Sequence, residues 1–159
     1  MENRTIQQLL DYTWAAANLE AEGCITIGKS IRGGRPYYQL LVCLDNSDKG
    51  MVERFYRLFP FGSVLIPRKL PNRKQMYRYN VTGKKAVTVL QTLLPYMSYK
   101  LTQAGLAINF QHQWDSREGN DYEQVLFEHC YGLMKQLKKG DVGECGTLFF
   151  SKMDKEVFV

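Results

Sequence analysis

The sequence contains no run of about 18 apolar residues, the length a membrane-spanning helix needs, so no such helix is expected. Its first residues, Met1-Glu2-Asn3-Arg4, lack the basic-then-apolar pattern of a secretory leader. An intracellular protein is therefore expected, with organelle, phage and bacterial origins all open. Cysteine is sparse: Cys24, Cys43, Cys130 and Cys145 lie far apart in the sequence, with no zinc-like pairing, and read as reduced thiols. Histidine is sparser still, and His112 and His129 read as structural. There is no internal repeat and no low-complexity tract. What remains is an ordinary globular composition, 45% hydrophobic and 23% charged over 159 residues. That length can bury a proper core without disulfide or metal staples.

The net charge of +5 is mild but unevenly spread. Residues 1–22 carry −3, residues 23–110 carry +11 and residues 111–159 carry −3. A central segment with fourteen bases against three acids implies one strongly positive surface and a polyanionic partner such as nucleic acid.

Apolar spacing predicts a helix from about Thr5 to Glu20, stopped by Glu22-Gly23. Alternation predicts strands over 24–31 and 37–44, joined by Arg32-Gly33-Gly34-Arg35-Pro36 as a hairpin. Asn46-Ser47-Asp48 supplies caps for a helix to about Phe59. Strands over 63–70 and 75–82 flank Pro71-Asn72-Arg73. Helices follow over 83–94 and 98–112. This is an α+β domain with four antiparallel strands and helices on one face. Beyond it, 122–137 reads as a further helix and Leu148-Phe149-Phe150 as a short strand. The division expected is a core over 1–114 and a C-terminal extension over 115–159.

The stretch Ala15-Ala16-Ala17-Asn18-Leu19-Glu20-Ala21-Glu22-Gly23 stands out. Alanines on a helix let another backbone approach closely. Two acids at a helix C-terminus oppose the helix dipole by about 0.3–1 kcal/mol each when exposed. An unfavourable local charge points to a use such as divalent-metal binding, against the alternative of two solvated glutamates.

This stretch resembles the LAGLIDADG motif of homing endonucleases. Ala16, Ala21 and Gly23 match it letter for letter, Leu19 replaces another aliphatic, and Glu20 and Glu22 replace its two aspartates. Asn18 departs from it. The order of elements is similar to the family's αββαββα core with its four-stranded saddle sheet. Asp45-Asn46-Ser47-Asp48 resembles the family's approach to its middle helix. Leu94 to Ala104 resembles its "PyL-x-x-K-x-x-Q-A" segment.

The resemblance implies a site-specific double-strand DNA endonuclease. A single motif implies a homodimer, with Ala16 and Ala17 at the helix–helix contact and a long, roughly palindromic target. It implies Mg2+ (or Mn2+) held by Glu22 and the carbonyl of Ala21, with Asn46 and Lys100 as further catalytic residues. Glu20 is expected to be structural. The sheet face opposite the helices would meet DNA through Thr26, Ser30, Arg32, Tyr37, Gln39, Lys74, Met76 and Arg78. Arg35, Arg68, Lys69 and Arg73 would join from turns and strand ends. The alternatives are a non-cleaving relative, either intron maturase or transcriptional regulator, and a basic protein-interaction module.

Overall fold

Thr5 starts the first helix with a capping box. Its hydroxyl accepts from the Gln8 N–H, and the Gln8 side chain accepts from the Thr5 N–H. The computed structural model describes residues 4–139. It shows helix α1 (Ile6–Glu22), strands β1 (Gly23–Arg32) and β2 (Arg35–Asn46), and helix α2 (Lys49–Leu58). Strands β3 (Ser63–Leu65) and β4 (Tyr77–Thr82) follow, then helix α3 (Gly83–Leu93), a 3-10 turn (Leu94–Tyr96), α4 (Leu101–Asp115) and α5 (Asp121–Lys138). The fold class is α+β, with a four-stranded sheet in the order β1-β2-β4-β3.

The β1–β2 turn is Gly33-Gly34, both with positive φ (55° and 76°), as a type I′ hairpin turn requires. Gly23, between α1 and β1, has a different reason. A Cβ there would lie 2.6 Å from Leu19 and 3.0 Å from the Cys43 carbonyl oxygen. One sheet face is buried throughout, by Ile25, Ile27, Tyr38, Leu40, Val42, Leu44, Tyr79 and Val81.

Contacts divide the described residues into two compact units. The first comprises residues up to Cys24 with Leu41–Tyr99. Here Phe55, Tyr79 and Phe59 form an aromatic cluster, and the Tyr79 hydroxyl donates to the Phe59 carbonyl at 2.9 Å. The second comprises Ile25–Leu40 with the residues from Lys100 on. Its core is built around Trp114, which packs edge-on against Phe127 of α5 at 5.0 Å between ring centroids. Helix α5 thus shares one hydrophobic cluster with α4 and with Tyr38 of β2.

Three elements differ from the expected bounds. The third strand stops at Leu65 rather than Leu70, and the fourth starts at Tyr77. Pro67 has no N–H for a ladder, and the Gln75 side chain donates to the carbonyls of Pro67 (2.8 Å) and Met76 (2.9 Å). Tyr77, the first residue of β4, is half-buried. The helix expected from Ser98 starts at Leu101, because the N–H groups of Ser98 and Tyr99 bond to Glu20 in a turn before it. The strand expected at Leu148-Phe149-Phe150 lies outside the described residues.

Candidate active site and nucleic-acid face

Glu20 and Glu22 are two residues apart and have opposite surroundings. Glu20 is only 4% exposed. Its carboxylate accepts from the Tyr99 N–H (2.6 Å), the Ser98 N–H (2.8 and 3.1 Å to its two oxygens) and the Ser98 hydroxyl (3.4 Å). Its negative charge at a helix C-terminus is thereby matched by fixed donors, the structural role expected of it. Glu22, the last residue of α1, is exposed, as is Ala21 before it.

Ala16 is fully buried within its own chain and has no surface left for a second copy. Ala17 is exposed. The exposed face it occupies runs through Ile6, Leu10, Thr13, Ala17 and Ala21, at helical spacing.

Asn46 ends β2, and its side-chain oxygen accepts from the Asp48 N–H at 2.8 Å. Asp48 is the residue that caps α2, accepting from the Met51 N–H at 3.3 Å. Lys100 is the N-cap residue of α4, next in the chain to Tyr99, which Glu20 holds.

The basic residues behave differently in the two units. In the first, Arg68, Lys69, Arg73 and Lys74 are exposed along the β3–β4 connection, and none is in an ion pair among the described residues. Met76 is 38% exposed beside them. Arg78 departs from its expected role as an open DNA contact. It forms a two-pronged bond to Asp45, its partner across the β2–β4 ladder, at 2.7 and 2.6 Å. The Asp45 carboxylate raises the pKa of the guanidinium.

In the second unit, Arg32 lies 3.7 Å from the centroid of the Tyr37 ring, a close cation–π stack. Tyr37, expected on the open sheet face, leans edge-on against Trp114 at 5.3 Å and is half-buried. Thr26 is half-buried, and its hydroxyl accepts from Lys138 of α5 at 3.3 Å. Ser30, Arg35 and Gln39 are exposed.

Sequence spacing missed two partners. Asp45 carries no signal of its own; only the β2–β4 register pairs it with Arg78. Cys24 and Cys43 are distant in sequence, yet their thiols are hydrogen-bonded to one another. That bond, with burial, pushes the Cys43 thiol well above its ordinary range.

The arrangement brings an exposed carboxylate to the end of a helix, a buried carboxylate that fixes the chain before Lys100, and a basic sheet margin. Similarity to solved structures identifies the architecture. The homing endonuclease I-CvuI, solved with an I-CreI target and Mg, superposes with a TM-score of 0.69 at 21% identity, over 82% of this chain and 85% of its own. The archaeal intron-encoded homing endonuclease I-Vdi141I, solved with DNA, gives 0.70 at 12% identity, over 93% and 97%. The chain has the LAGLIDADG homing-endonuclease fold. The LAGLIDADG homing endonuclease I-GzeII, solved with its DNA target, also aligns, at a TM-score of 0.62 and 15% identity over 77% of this chain and 43% of its own. No family model matches the chain and no curated protein does. No helix among the described residues is long and apolar enough to cross a membrane.

The exposed end of α1 offers oxygen donors only, the Glu22 carboxylate and the Ala21 carbonyl. Such donors suit a hard cation that keeps several waters, such as Mg2+. No group of three His, Cys, Asp or Glu side chains able to hold a metal occurs among the described residues of one chain.

Proposed function

We propose that this chain is a site-specific double-strand DNA endonuclease, working as a homodimer with a divalent cation. The observation that carries the reading is the split between the two motif acids. Glu20 is committed to backbone donors, whereas Glu22 is exposed at the helix end. An exposed acid at that end of the dipole costs about 0.3–1 kcal/mol, which a bound cation would offset.

In the dimer, two copies of α1 meet along the face bearing Ala17 and Ala21, and each brings one Glu22 to a shared centre. Two carboxylates brought together repel, and a bound divalent cation would relieve that repulsion. Glu22 and the Ala21 carbonyl would hold it. The chemistry supplied there by a bound ion would be activation of a water and stabilisation of the leaving 3′ oxygen. Lys100 stabilises charge on the phosphate. Asn46 positions solvent through its amide nitrogen, since Asp48 occupies its oxygen. Arg68, Lys69, Arg73 and Lys74 grip phosphates, while Arg32, Arg35 and Gln39 reach base edges in the major groove.

The test is to incubate the purified chain with a randomised duplex library and Mg2+ and recover the cut sites. Enrichment of one roughly palindromic sequence, lost in Glu22→Gln with binding retained, is expected. Cutting by Glu22→Gln at the parental rate would remove Glu22 from the centre. Tight, sequence-selective binding with no cutting under any divalent cation would make the chain a non-cleaving relative.

A further inference from the structure

Two cysteines that looked unrelated in the sequence become neighbours through the hairpin. Arg32 and Arg35 flank the two-residue turn Gly33-Gly34. Counting back along both strands sets Gly28 opposite Gln39 and Cys24 opposite Cys43. The close approaches agree: a Cβ on Gly28 would lie 3.7 Å from the Gln39 carbonyl oxygen, and one on Gly23 would lie 3.0 Å from that of Cys43. Directly opposed residues point to the same side of the sheet, with Cα atoms about 4.5–5.5 Å apart. That lies within the range of about 4.4–6.8 Å that a disulfide spans. The two thiols already touch through a hydrogen bond, and both side chains are half-buried rather than sealed off.

We propose that Cys24 and Cys43 form a dithiol modification site, which a low-molecular-weight disulfide such as oxidised glutathione closes to a cross-strand disulfide. One protein thiolate attacks a sulfur of the small disulfide, forming a mixed disulfide and releasing one small thiol. The second protein thiol, giving up its proton to solvent, attacks the protein sulfur of that mixed disulfide and releases the second small thiol. Two protein thiols are oxidised and one small disulfide is reduced. The other described cysteine, Cys130, is buried in the α4–α5 cluster and is not a competitor.

Cys24 and Cys43 lie in one row with Asn80 and Ser63, across the face opposite the buried core. Where the pair meets a ligand rests on the DNA reading above, because that reading sets duplex DNA on this face. The dithiol itself does not depend on it.

The experiment treats the full native chain with oxidised glutathione, blocks the remaining thiols with iodoacetamide, and maps disulfide-linked peptides by mass spectrometry. A Cys24–Cys43 linked peptide, reversed by dithiothreitol, is expected as the main product. Cys24→Ser and Cys43→Ser should each leave a single stable glutathione adduct on the remaining partner. Stable glutathione adducts on both residues of the parent chain, without the cross-link, would overturn the proposal. So would two unmodified thiols under conditions that modify Cys145. Repeating the reaction with saturating duplex separates the two readings. Slower closure is expected if DNA covers the face. Undiminished closure with bound duplex would overturn the DNA placement and leave the dithiol standing.

Discussion

Glu20 and Glu22 make a paired experiment within one turn of helix. Glu20 is buried and satisfies the N–H groups of Ser98 and Tyr99. Removing its carboxylate in Glu20→Ala takes a charged acceptor away from both N–H groups. Hydrogen bonds to charged groups are worth about 1.5–3 kcal/mol, and a loss of that size is expected in urea denaturation. Glu22→Gln removes an exposed charge from the unfavourable end of the dipole, so its stability change should stay within about 0.5 kcal/mol. Function should show the opposite order, with Glu22→Gln folded and inactive. If Glu20→Ala is as stable as the parent, the buried carboxylate is not what holds the segment before Lys100. This division is only half legible in sequence. The motif identifies two acids, but which one faces inward depends on the 98–99 turn reaching it across 78 residues of chain.

Helix α5 shows how polar contacts hold an element in an aromatic setting. Glu128 accepts from Lys29 at 2.6 Å and from the Tyr38 hydroxyl. The Lys29 bond, then the Tyr38 bond, hold the Glu128 carboxyl below its ordinary value of 4.5. A lowered carboxyl stabilises the fold above its unfolded value, and that contribution is lost as pH falls through the lowered one. Burial, then the Glu128 bond, push the Tyr38 phenol above its ordinary 10.0. Its contribution is present below about pH 10 and lost as pH rises above that. Denaturation midpoints measured against pH should therefore fall at both ends. Glu128→Gln should flatten the acid limb, and an unchanged acid limb would remove the contact from the account. The apolar residues of 122–137 made α5 itself predictable. Its attachment was not, because nothing local in Glu128 or Lys29 says that 99 residues of separation close into an ion pair. The same limit governs the sheet. Alternation located the buried face, but the early end of β3 came from Pro67 and from side-chain bonds of Gln75. A propensity reading of 63–70 has no access to those bonds.

At the scale of the whole molecule, the question is which of the central charges act on a partner. Several are already spent inside the chain: Lys29 on Glu128, Arg54 on Asp11 and Arg78 on Asp45. The exposed cations of the β3–β4 connection, Arg68, Lys69, Arg73 and Lys74, are not spent in this way. For duplex DNA, each phosphate neutralised contributes about 0.9 to the slope of log affinity against log salt. Replacing these residues singly by Ala should reduce that slope by about 0.9 for each one that contacts a phosphate, and by up to twice that in a homodimer. Arg78→Gln should behave differently. It removes a cation that is already neutralised and exposes Asp45, so affinity should fall with a smaller change in slope. Filter binding to a fixed duplex across a salt series, with the dimer verified by sedimentation, measures both. A flat salt response in the parent chain would remove nucleic acid as the partner, and the surviving reading would then be a basic protein-interaction module. A slope altered as much by Arg78→Gln as by Lys69→Ala would mean that Asp45 releases its arginine when DNA arrives.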